Sequence, residues 1–171
     1  FLSVAFFLSS TVRMKHLNPE FVEAVVKKVN SSPFYGLTAM RLIEVRQGEC
    51  VMEVTVGEAH LQPYRMVHGG VFASLVDSAA YWAVFTEIDD DAGMFTVDIK
   101  VNYLAPASNG RLIARGKRIK LGRTLCLGEA FVENGEGKLL AHGTATLMVV
   151  TEPDTSGLFD LPPRAAPAAS R

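Results

Sequence analysis

Apolar residues recur at helical spacing early in the chain, at Phe21, Val22, Val25, Val26 and Val29 within PEFVEAVVKKVN. That period predicts a helix over 19–30. Its start is written locally: Asn18 can cap, Pro19 takes the first helical position, and Glu20 sits near the positive end. Ser32-Pro33 ends it, and SPFYG reads as a loop. The period then falls to two. Segments 40–46 and 50–56 predict strands joined by a turn at Gln47-Gly48, with Val54 and Val56 alternating against Glu53 and Thr55 as a half-buried antiparallel strand requires.

The next stretch, MVHGGVFASLVDSAAYWAVF, contains about sixteen residues without proline or internal glycine and predicts a long helix. It is apolar around most of its circumference, so it belongs in the interior. After Asp89-Asp90-Asp91, four strands are expected over 95–104, 111–121, 124–133 and 139–150. Turn signals separate them at 107–110, at Gly122 and at Asn134-Gly135. In the first, Val97, Ile99, Val101 and Tyr103 alternate with Thr96, Asp98, Lys100 and Asn102, which predicts one packed face. The order is strand, strand, helix, then four strands in a meander. An α+β fold follows, a curved antiparallel sheet of five to six strands wrapped around one long central helix.

Length adds that this is one domain, placed at 14–151. The opening FLSVAFFLSSTVR is too short to span a bilayer and lacks a basic region before its apolar run. Met14 begins MKHLNPEF like a natural start, so 1–13 reads as an upstream segment. The stretch 152–171 is rich in Pro, Ala and Ser, has little to bury, and reads as a mobile tail. A net charge of −1 argues against a nucleic-acid partner, and no stretch argues for a membrane. Cys50 and Cys126 stand alone without metal spacing, as reduced buried thiols of a cytoplasmic protein. His16, His60, His68 and His142 are scattered, so no metal site is expected. The sequence contains neither a G-x-S-x-G element nor a nucleotide-binding glycine loop.

The chemistry centres on the long helix. Gly69 and Gly70 lie where a helix leaves backbone N–H donors unsatisfied, and donors aimed at a carbonyl stabilise the oxyanion formed on attack. His68 is placed to orient that turn through a ring hydrogen bond. A tight strand-to-helix turn is the plainer reading of Gly-Gly. Asp77 is a lone carboxylate in an apolar helix, flanked at helical distance by Ala73, Ser74, Ala80 and Tyr81. Either Ser74 and Tyr81 satisfy it as a structural residue, or it serves as general base or nucleophile. Eight residues separate Gly69 from Asp77, about 12 Å along a helix. If the two cooperate on one carbonyl, they come from different subunits of a homodimer.

Between Pro106 and Gly128 stand Arg111, Arg115, Lys117, Arg118, Lys120 and Arg123 with no acidic residue. They read either as a charged strand edge or as a patch for a phosphorylated ligand, the latter helped by backbone donors of the Gly122-Arg123-Thr124 turn.

VHGGVFASLVD, FTVDIKVNYLAPA, GRT and GKLLAHGTAT, in this order and at these distances, resemble the hotdog-fold acyl-CoA thioesterases of the phenylacetic-acid-degradation type. The resemblance covers about residues 33–150. It implies a hotdog fold, a homodimer or dimer of dimers, and active sites at the dimer interface. By resemblance Asp77 is the catalytic base or nucleophile, and the Gly69 N–H polarises the thioester carbonyl. Gln62 stands near that carbonyl and the attacking water, and Thr96 helps to position water. His68, Gly70, Lys120, Gly122, Arg123 and Thr124 are the expected substrate contacts, with Lys120 and Arg123 on the coenzyme A phosphates. No cofactor is implied, because coenzyme A is part of the substrate. The acyl group stays open, with Phe34, Tyr35, Tyr64, Trp82 and Phe95 as candidate pocket residues. A non-catalytic acyl-CoA-binding module and an enoyl-thioester hydratase are the alternatives.

Overall fold

A computed structural model of the chain describes residues 17–151 and 161–166. The expected upstream segment and most of the tail lie outside the described residues. Helix α1 (Pro19–Asn30) starts as its sequence dictates, with Asn18 Oδ1 accepting from the Glu20 N–H at 3.1 Å. Phe21, Val25 and Val29 form its buried stripe. Ser32-Pro33 ends α1 and also begins a short helix α2 (Pro33–Leu37), where a loop was expected. Proline cannot continue one helix but is suited to the first turn of the next.

Six strands follow: β1 (Met40–Arg46), β2 (Glu49–Thr55), β3 (Gly93–Tyr103), β4 (Arg111–Lys120), β5 (Leu125–Asn134) and β6 (Leu139–Val150). Between β2 and β3 runs α3 (Gly69–Phe85), around which the sheet wraps. All neighbours are antiparallel, in the order β1-β2-β4-β5-β6-β3. The curved sheet around a central helix is therefore as expected, but the last four strands are not a simple meander. Strand β3 pairs with β6 and becomes an edge. At this edge Phe95, Thr96, Val97, Asp98, Ile99 and Lys100 are all exposed, so the stretch lies at the margin of the sheet's cover over the helix. The alternation along β3 predicted one packed face, and within the single chain that face stays open.

Helix α3 packs against the sheet backbone to backbone. A Cβ on Gly116 would lie 2.0 Å from Ala79 O, and one on Gly128 2.8 Å from Ala80 O. Small residues on both sides thus set the depth of the helix in the sheet. Cys50 Sγ donates to Ala79 O at 3.1 Å, and burial pushes this thiol up to about 12, where it is inert. Both cysteines are free and buried.

The tail departs from expectation at 161–166. Arg164 is buried, its guanidinium 4.3 Å over the Phe85 ring. Its Nε donates to Phe85 O at 2.9 Å and its Nη1 to Asp89 O at 2.8 Å and Asp90 Oδ1 at 3.1 Å. The Asn18 N–H donates to Arg164 O at 2.8 Å, and Leu17 bridges to Ala165. One arginine therefore caps the last carbonyl of α3, holds the loop that follows it and ties both to the start of α1, a burial that Pro/Ala-rich composition conceals.

Candidate active site

Asp77 lies on the incompletely covered side of α3, along with Gly70, Ala73, Ser74 and Tyr81. Neither neighbour expected to satisfy it does so. Ser74 Oγ donates to Gly70 O at 2.9 Å and Tyr81 Oη to Met94 O at 3.2 Å. The side chain bonded to it instead is Thr96, whose Oγ1 donates to Asp77 Oδ1 at 2.8 Å. Burial raises the carboxyl above its ordinary value, and the Thr96 hydrogen bond partly offsets the rise.

Simple alternation along β3 puts Thr96 on the face opposite Ile99, Val101 and Tyr103. A bulge between Thr96 and Asp98 reverses that. Thr96 pairs with the fully buried Leu147, as Tyr103 pairs with Ala141, so both face α3. Phe95 pairs with the exposed Met148 and faces away from the helix, which removes it from the candidate pocket residues.

At the N-terminus of α3, His68 Nδ1 accepts the Gly70 N–H at 2.9 Å, so His68 orients the turn as expected. Gly70 thereby spends its donor on the cap. His68 O accepts the Val71 N–H at 3.0 Å. The Gly69 N–H makes no hydrogen bond among the described residues, and it stands at the positive end of a 17-residue helix. The Tyr103 ring lies beside it, 3.4 Å from where a Gly69 Cβ would sit. Nothing in the alternation of β3 marked Tyr103 as a site residue; only the edge position and the fold bring it there.

Gln62 reaches the same region through a hairpin. Its N–H donates to Met66 O and its carbonyl accepts the Arg65 N–H, both at 2.8 Å, and Leu61 bridges to Val67. Gln62 Oε1 accepts the Tyr64 N–H at 3.1 Å, which leaves the Nε2 hydrogens free to donate. The structure thus places Asp77 with Thr96, and Gln62 in the hairpin that leads into Gly69. The two pairs are separated by the length of helix between residues 69 and 77.

The basic strands sort themselves by partner. Arg111 pairs with Glu53 at 3.1 Å, Arg115 with Glu133 at 3.6 Å, and Arg118 with Glu87 at 2.6 Å. Lys117, Lys120 and Arg123 have no carboxylate partner among the described residues. The Gly122 N–H is directed at Cys126 Sγ, 3.4 Å away, so the turn offers fewer donors than expected; Arg123 and Thr124 remain exposed. Among the described residues no group of three His, Cys, Asp or Glu could hold a metal, and no helix is long and apolar enough to cross a membrane. A cavity of about 350 Å³ opens at the other end of α3, beside Thr86, Glu87 and Arg164, and none of the expected site residues lines it.

Residues 64–141 match the model of the thioesterase superfamily. Over 112 residues the chain is 30% identical to acyl-coenzyme A thioesterase 13 of Mus musculus, covering 64% of this chain and 79% of that protein. Over 110 residues it is 28% identical to 1,4-dihydroxy-2-naphthoyl-CoA hydrolase of Listeria monocytogenes, covering 64% and 89%. Its fold superposes on a variant of the phenylacetic acid degradation protein PaaI from Thermus thermophilus with a TM-score of 0.63 and 27% identity, covering 68% of this chain and 98% of that one. The motifs, the curved sheet around α3 and these similarities agree: the chain belongs to the thioesterase superfamily and is a hotdog-fold thioester hydrolase.

Proposed function

We propose that the protein hydrolyses acyl-CoA or aryl-CoA thioesters to the free acid and coenzyme A, as a homodimer with a site at each end of its interface. The observation that carries this reading is the Asp77–Thr96 pair, a carboxyl made more basic by burial and left open on one side of α3. Asp77 either takes a proton from water as it attacks the thioester carbonyl or attacks that carbonyl itself. The Gly69 N–H and Gln62 Nε2–H donate to the oxygen on which negative charge develops, and the helix N-terminus adds its field. Collapse of the intermediate breaks the C–S bond. On the general-base route this gives the free acid directly, and the thiolate takes up the proton that Asp77 removed from water. On the nucleophilic route it leaves an acyl–Asp77 anhydride that water then cleaves to the free acid, with the thiolate protonated from solvent.

About 12 Å of helix separates Gly69 from Asp77, too far for one carbonyl to meet both. Strand β3 supplies a reason for a second chain. It is an edge with Val97 57% and Tyr103 58% exposed, and it adjoins the uncovered side of α3 that carries Asp77. Pairing two copies along β3 would cover these residues and bring one protomer's Gly69 toward its partner's Asp77. Lys120 and Arg123, free of carboxylates, suit the coenzyme A phosphates. The two unpaired thiols suit a cytoplasmic setting.

The test is release of free thiol from a panel of acetyl-, medium-chain, long-chain and aryl-CoA substrates. Turnover of any class supports the reading and names the acyl group. Tight binding of acyl-CoA without thiol release would show a binding module instead.

A further inference from the structure

His60 lies outside the residues expected to act, yet it is 7% exposed and bonded to the backbone through both ring nitrogens. Its Nδ1 accepts the Gly57 N–H at 2.8 Å, its Nε2 meets Thr38 O at 2.8 Å, and its carbonyl accepts the His68 N–H at 2.8 Å. The first two bonds fix the ring as the neutral tautomer with hydrogen on Nε2. Both nitrogens are spent on backbone groups, so the ring has no lone pair or proton left for chemistry.

We propose that His60 is a positioning residue for the oxyanion donors, holding the Gln62–Gly69 hairpin to α2. Thr38 is the C-cap of α2, and α2 is itself fixed to α3: Trp82 Nε1 donates to Tyr35 Oη at 2.8 Å, and Tyr35 Oη donates to Ser78 Oγ at 3.3 Å. The tether therefore runs from the packed body of the protein, through the imidazole, to His68, the residue before Gly69. Gln62 lies two residues beyond the ring and inside the same hairpin. This assignment rests on the proposed hydrolysis, in which the Gly69 N–H and Gln62 amide meet the developing oxyanion. Their placement matters to a fraction of an ångström there, and a donor on a loose hairpin loses its value.

The experiment compares wild type with His60→Leu, His60→Asn and His60→Gln, reading kcat, KM, thermal stability and amide exchange at His68. Asn retains an acceptor near the Nδ1 position for Gly57, and Gln a donor near the Nε2 position for Thr38. His60→Leu is expected to lower kcat about tenfold to a hundredfold with KM little changed, because the lost interaction belongs to the transition state. Its His68 amide, which is bonded to His60 O, should exchange faster, and Asn and Gln should each restore part of kcat. A folded His60→Leu protein with wild-type kcat would overturn the positioning role and leave the thioesterase reading intact. Unchanged exchange at His68 would overturn the tether even if the wild type released no thiol, a result that would count separately against the proposed hydrolysis.

Discussion

Thr96 Oγ1 reaches Asp77 Oδ1 at 2.8 Å because a bulge in β3 turns Thr96 toward α3, onto the face that carries Ile99, Val101 and Tyr103. The hydrogen bond favours the ionised carboxylate and so works against the burial that raises its pKa. Thr96→Val removes the bond and should raise that pKa further. The acid limb of the kcat/KM profile should then move to higher pH, and kcat should fall about tenfold to a hundredfold. A pH profile of thiol release checks both.

The same carboxyl carries a stability cost. A folded-state pKa above the unfolded value means that stability is greatest when the group is protonated and falls as pH rises through the folded value. Asp77→Asn, which cannot ionise, should therefore melt higher than wild type at neutral pH. The gain should vanish as pH falls below the ordinary carboxyl value, 3.8. Melting temperatures taken from strongly acidic to neutral pH measure it.

Oligomerisation is tested on the edge strand. Ile99→Lys would place a charge among the exposed apolar residues of β3 and should yield a monomer by sedimentation, with loss of turnover. Mixing inactive Gln62→Ala and Asp77→Ala chains should restore up to about a quarter of wild-type activity, since a hybrid dimer retains one intact site and half of the dimers are hybrids.

Arg118 and Arg123 should behave differently although both are basic. Arg118 is committed to Glu87, with Gln47 Nε2 on the same carboxylate at 3.3 Å. Its loss should show in melting temperature. Lys120→Ala and Arg123→Ala should instead raise KM about tenfold each, with kcat held, and the effect should shrink in high salt.

Much of the fold was legible because it is local. The α1 cap, the long apolar run of α3 and the strand alternation are each written within a few residues. Asp77 stood out for a related reason, as one charge where the period demands apolar side chains. What escaped was set by distance or by register. The bulge that turns Thr96 inward carries no glycine or proline to announce it. The place of β3 beside β6 depends on how the sheet closes around α3. Arg164 sits in a segment whose composition suggests no burial, and only the carbonyls of Phe85 and Asp89, far back in sequence, explain it. Arg164→Ala would leave those carbonyls without their donor and should destabilise the protein by about 2–4 kcal/mol, read by denaturant melting.

In the hydrolysis proposed above, Asp77 is the residue on which the chemistry turns. Thiol release by purified Asp77→Asn, with fold and oligomeric state matched to wild type, tests that role most directly. The predicted result is a fall in kcat of about a thousandfold with acyl-CoA binding retained. Turnover comparable to wild type in that variant would contradict a catalytic Asp77.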